Sequence, residues 1–118
     1  MDKNTLMKFG FVKDEENLQL KEIFRNNAKL KEIHIDIYPE NPLNAPTPFV
    51  LLLRTTEKNV TVSNDENRLV LKKNDKFETY LINILLTDIS ESFSKITDNC
   101  FEFILNIRNI YYRITIVN

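Results

Sequence analysis

Gly10 is the only glycine in a chain of 118 residues, and tryptophan is absent. A chain so poor in glycine cannot build the glycine-rich loops that cradle phosphates. Its tight turns must use asparagine and aspartate, the other residues that tolerate positive φ. Cysteine and histidine are as scarce, with Cys100 and His34 each alone of its kind. No internal disulfide can form, a zinc site could use at most one thiolate, and a transition-metal site would be mostly carboxylate. No metal or cofactor is therefore expected. Cys100, between Asn99 and Phe101 at the head of an apolar strand, is expected to be a small core filler. Apolar runs are short as well: nothing approaches the roughly 20 residues that cross a bilayer, and residues 1–10 lack the apolar stretch of a signal peptide. The expected location is cytoplasmic, or the host cytoplasm or nucleus if the protein is viral. An excess of one charge is also missing, since 16 Lys and Arg against 17 Asp and Glu leave a net charge of -1. Nucleic-acid binding needs a basic surplus on one face and DNA mimicry a large acidic one, so neither is expected.

What is present is enough to fold. Apolar residues make up 42% of the chain, with 8 Phe and 4 Tyr among them, and 28% of residues are charged in both signs. That is the composition of a globular protein, and the length suits a single domain, residues 1–118, around one core. Heavy use of Asn, Ile and Lys points to an A+T-rich genome, viral or bacterial.

Residues 1–13 carry Leu6, Met7, Phe9 and Phe11 without clear periodicity and read as a short helix or an arm. From Asp14 a helix is predicted. Asp14, Glu15 and Glu16 suit its N-terminus, Leu20, Ile23, Phe24 and Ala28 share one face, and Lys29 and Lys31 suit its C-terminal end. Ile33, Ile35 and Ile37 then alternate with His34, Asp36 and Tyr38, the pattern of a half-buried strand. Pro39, Pro42, Pro46 and Pro48 make residues 39–48 a stiff surface loop. Strands are predicted at 49–55, 60–63 and 68–73, with a turn at 56–59 and a hairpin loop at Asn64-Asp65-Glu66-Asn67. That loop would set Val62 opposite Leu69 and Val60 opposite Leu71. Residues 77–86 fit either a helical face or an alternating strand, and their β propensity favours the strand. Ile89, Phe93 and Ile96 fall at helical spacing among serines, which predicts one or two helical turns within 88–96. The clearest pattern is last: Phe101, Phe103, Leu105 and Ile107 alternate, then Ile110, Tyr112, Ile114 and Ile116. A two-residue turn at Arg108-Asn109 would pair Ile107 with Ile110 and Phe103 with Ile114, with all eight on one face.

The fold class expected is α+β: an antiparallel sheet or partly open barrel of about six to seven strands, with one main N-terminal helix packed on it.

Chemistry-bearing groups are sparse. His34 and Asp36 share the outer face of their strand and read as an exposed polar face, since no nucleophile elbow accompanies them. The 64–67 loop lacks the alternating acids and central glycine of a calcium loop. A carboxylate pair acting as in a small hydrolase would be visible only in three dimensions. Arg68, Lys72, Lys73 and Lys76 gather as a candidate anion site. On the outer face of the last hairpin Tyr111, Arg113 and Ile104 stand together, with Arg108 in the turn, and Tyr and Arg are the residues that dominate binding hot spots. The function expected is a non-catalytic protein-binding module, such as an immunity protein, an anti-defence inhibitor or a small subunit of a larger assembly. A homo-oligomer formed through an edge strand is a further partner option. About seven strand candidates, with residues 81–89 followed by two apolar strands, are also similar in pattern to a PH-like barrel. That resemblance implies binding of lipid headgroups or peptides.

Overall fold

A computed structural model describes residues 3–25, 32–38, 50–55, 60–62, 68–73, 76 and 80–117. The chain opens with helix α1 (Lys3–Lys8). It stops where the Gly10 N–H donates to the Met7 carbonyl at 3.0 Å and the Phe11 N–H to the Leu6 carbonyl at 3.0 Å. This is a Schellman cap, and it needs a left-handed residue after the helix, which Gly10 supplies at φ +88°. Leu6 and Phe11, the pair that such a cap brings together, are both buried in one apolar cluster. A two-residue strand β1 (Val12–Lys13) follows, then a 3-10 turn over Glu15–Asn17 and helix α2 (Leu18–Arg25).

Helix α2 starts four residues later than the acidic run predicts, because Glu16 and Asn17 turn through φ 54° and 56° ahead of it. Asp14 still serves its N-terminus from outside. One carboxylate oxygen accepts from the Gln19 N–H at 2.9 Å and the other from the Leu20 N–H at 3.0 Å. Leu20 is fully buried and Ile23 packs beside it. Ala28, Lys29 and Lys31 lie outside the described residues, as do the proline-rich loop 39–48, the turn 56–59 and the hairpin loop 64–67.

The remaining strands are β2 (Glu32–Tyr38), β3 (Val50–Thr55), β4 (Val60–Val62), β5 (Arg68–Lys73), β6 (Tyr80–Leu85), β7 (Ile89–Ile96), β8 (Cys100–Ile107) and β9 (Ile110–Val117). They form a six-stranded sheet of order β1-β7-β8-β9-β2-β3 and a three-stranded sheet of order β4-β5-β6, and among the described residues these do not close into a barrel. Every pairing is antiparallel. Seven of the strands are six residues or longer, so the α+β expectation holds. Residues 80–85 are strand, as β propensity favoured.

The last hairpin forms in the predicted register, with Ile107 opposite Ile110 and Phe103 opposite Ile114. Its turn puts Arg108 at φ 54° and Asn109 at 64°. Both signs are those of a type I′ turn, whose twist matches the strands. The Asn109 N–H also donates to Asn106 Oδ1 at 3.0 Å. The inner face of this hairpin, with Ile33 and Ile35 of β2, makes the main core, roofed by Leu20 of α2 and Leu69 of β5.

Two expectations fail. Residues 89–96 are strand, preceded by a 3-10 turn at Leu86–Asp88. The helical spacing is the trace of a strand covered on both sides: a register shift lies between Ile89 and Glu91, Ile89 joins the inner core and Phe93 the outer cluster. In the small sheet Val62 pairs with Leu71 and Val60 with Lys73, two residues beyond the predicted register. A slip of two preserves the side-chain alternation, so the apolar pattern cannot distinguish the two pairings.

Asp14→Ala is expected to cost about 1–2 kcal/mol in chemical denaturation, since two helical N–H groups lose their acceptor. Gly10→Ala is expected to lower stability by about 1–2 kcal/mol, the cost of a Cβ in left-handed backbone.

Candidate interaction surface

The outer face of the large sheet is formed by the alternate positions Phe93 and Lys95 on β7, Glu102 and Ile104 on β8, Tyr111 and Arg113 on β9, and His34, Asp36 and Tyr38 on β2. Part of it is roofed. Leu6 and Phe11 press onto Phe93 and Ile104, all four at 2% exposure or less, with Tyr111 half-buried against them. Ile104 is therefore core and cannot contribute to an open surface. Tyr111 and Arg113 are neighbours on this face as expected, but each is half-buried. Arg108 stands apart at the hairpin tip, exposed and 3.8 Å from the Asp88 carboxylate.

Arg113 has an acid on either side. Its Nη2 donates to Glu102 Oε1 at 3.0 Å on one strand, while Asp36 lies directly opposite on the other. Asp36 and Tyr38 are only 8% and 4% exposed, and His34 is half-buried, so the outer face of β2 is not the exposed polar face its alternation suggests. No described residue gives Asp36 Oδ1 a hydrogen bond. Beside it the β2–β3 register shifts between Ile35 and Asp36, a bulge of the kind that re-aims side chains.

The basic group is spread out. Arg68 is exposed and donates to Asn83 Oδ1 at 2.9 Å. Arg68 and Lys73 stand at opposite ends of β5, roughly 17 Å apart at a strand's rise per residue. Lys72 and Lys73 are consecutive strand positions, and Lys76 is exposed beyond the strand.

A different feature went unread in the sequence. Of the large apolar side chains left exposed among the described residues, Met7 (63%), Phe9 (54%), Val12 (58%) and Leu18 (57%) lie on the N-terminal segment. Ile96 (46%) lies on β7, the strand with which that segment pairs. Ile110 lies at the hairpin tip with Arg108. The missing periodicity of residues 1–13 was the signal: Leu6 and Phe11 are used inward, Met7, Phe9 and Val12 outward.

No protein-family model, curated protein or solved structure matches this chain. Among the described residues no helix is long and apolar enough to cross a membrane.

Cys100 opens β8 half-buried, and burial, then the nearby Glu102 carboxylate, pushes its thiol above the ordinary range. The thiolate is the reactive form, so alkylation of native protein at neutral pH should be slower than that of unfolded protein. Glu102→Gln should quicken it by lowering the thiol's pKa. Mass spectrometry of iodoacetamide-treated samples across a pH series measures both effects.

Proposed function

We propose that this protein is a non-catalytic protein-binding module, of the kind that serves as an immunity protein, an inhibitor or a small subunit, and that its partner seats on the N-terminal apolar rim. The concentration of exposed Met7, Phe9, Val12, Leu18 and Ile96 along one edge supports this reading. Exposed apolar groups gathered on one segment and on the strand it pairs with are a mark of interaction surfaces, and Phe and Met are enriched in interface cores.

The edge itself points to side-chain contacts over strand addition. β1 has two residues, one of them Lys13, and short, lysine-bearing edges resist pairing with another chain. The lipid-headgroup alternative has less support, because its basic residues are distributed along β5 and beyond it, with Arg68 engaged by Asn83. Arg113 is taken up by Glu102.

The test is stoichiometric co-purification from the source cells with tagged wild-type chain, with Phe9→Asp and with Val12→Asp. Both substitutions are at exposed positions and should change stability by less than about 0.5 kcal/mol. Recovery of one partner with wild type and its loss with both variants is expected, while Lys76→Glu should retain it. No stoichiometric partner, or equal recovery by all variants, refutes the proposal. Light scattering of the purified chain separates a second copy from a different partner.

A further inference from the structure

Four charged residues of alternating sign cross the outer face on four adjacent strands: Lys95 on β7, Glu102 on β8, Arg113 on β9 and Asp36 on β2. Lys95 is in register with Glu102, and Arg113 with Asp36. Directly opposed side chains on an antiparallel pair lie close enough to interact, so the simplest pairing would be Lys95 with Glu102 and Arg113 with Asp36. The structure holds a different one. Arg113 reaches diagonally to Glu102 at 3.0 Å. Lys95 Nζ sits 6.0 Å from the centroid of the Phe11 ring. Its stem runs beside Gly10, with Cε 3.3 Å from where a Cβ would stand. Among the described residues Asp36 Oδ1 is buried with no donor.

We propose that these four residues form a charge relay governed by the N-terminal segment. While Gly10 and Phe11 hold Lys95, Arg113 serves Glu102 and Asp36 Oδ1 has no donor among the described residues. When that hold loosens, Lys95 takes Glu102 and Arg113 passes to Asp36. An arginine has five donors in a rigid fork and can serve either acid with little motion of its backbone. The two arrangements differ in opposing ways: the first keeps the cation over an aromatic ring, the second gives a buried carboxylate the partner it lacks. Docking of the N-terminal segment onto the outer face is thus coupled to an acid three strands away. This inference does not require the partner proposed above.

The relay is tested in the full chain carrying Phe11→Leu, which keeps apolar packing while removing the ring from Lys95. In that protein the Arg113 Nε–H resonance and the Asp36 carboxyl carbon should both move from their wild-type positions. Addition of Lys95→Met should restore them. Thermal melts give a second readout. In the Phe11→Leu protein, the effects of Lys95→Met and Asp36→Asn should fail to add by about 2–4 °C, and adding Arg113→Met should make them additive. Unmoved resonances overturn the relay. So does additivity with Arg113 present, or non-additivity that survives Arg113→Met, which would mean that Lys95 and Asp36 feel each other directly through space.

Discussion

The whole arrangement turns on one buried carboxylate. Asp14 sits where the N-terminal segment rounds the edge of the large sheet, and it binds three things at once. Its side chain accepts the first N–H groups of α2, its backbone N–H donates to the Ser92 carbonyl at 2.8 Å, and its carbonyl accepts the Ser92 hydroxyl at 3.1 Å. Ser92 also bonds the Asn17 side chain. Because this corner is pinned, the chain before it lies on one face of the sheet and the chain after it on the other. α1 covers Phe93 and Ile104, and α2 covers the core that contains Phe103 and Ile114. A carboxylate facing helical N–H groups is favoured by the helix dipole as well as by the bonds themselves, which suits a group that has to hold a sheet between two layers.

Coverage on both faces is what makes the outer side unusual. An antiparallel sheet with one solvated face normally leaves its polar positions in water. Here the outer positions near α1 are drawn into a small core, and those farther along, at Asp36 and Tyr38, are buried too. Charged groups on such a face are screened poorly and must find one another, hence the diagonal bond of Arg113 to Glu102. Apolar groups displaced by the same wrapping appear at the rim, where Met7 and Phe9 lie between the inward-facing Leu6 and Phe11. The polar ladder and the apolar rim are two outcomes of one chain path.

Period-two alternation made the last hairpin legible to the residue, because eight alternating apolar side chains, seven of which join the core, and a turn at Arg108-Asn109 agree with one another. β2 was equally plain. The strand at 89–96 was obscured by its own burial: apolar residues on both faces, with a register shift between them, imitate helical spacing. The start of α2 was hidden because its capping acid lies outside the helix. The candidate surface was legible only by half. Alternation places Tyr111 and Arg113 on the outer face, but what covers that face comes from the other end of the chain. The Asp14–Ser92 contact spans 78 positions, and no local pattern records it. Ile104 was misjudged for that reason, as was the exposure of Asp36.

Glycine poverty, finally, has a structural consequence beyond the turns it denies. Glu16, Asn17, Arg108 and Asn109 all adopt positive φ without glycine, so the chain repeatedly tolerates a conformation that side chains disfavour. The single glycine stands where left-handed backbone and a close side chain coincide. At Gly10 the requirement is double: left-handed backbone to end α1, and a bare Cα for the stem of Lys95 to cross. Asparagine meets the first requirement more readily than the second, since its Cβ would stand 3.3 Å from Lys95 Cε and the lysine stem would have to shift by a few tenths of an ångström. The one glycine in the chain therefore marks the joint at which the helix cap, the hold on Lys95 and the start of the edge strand meet.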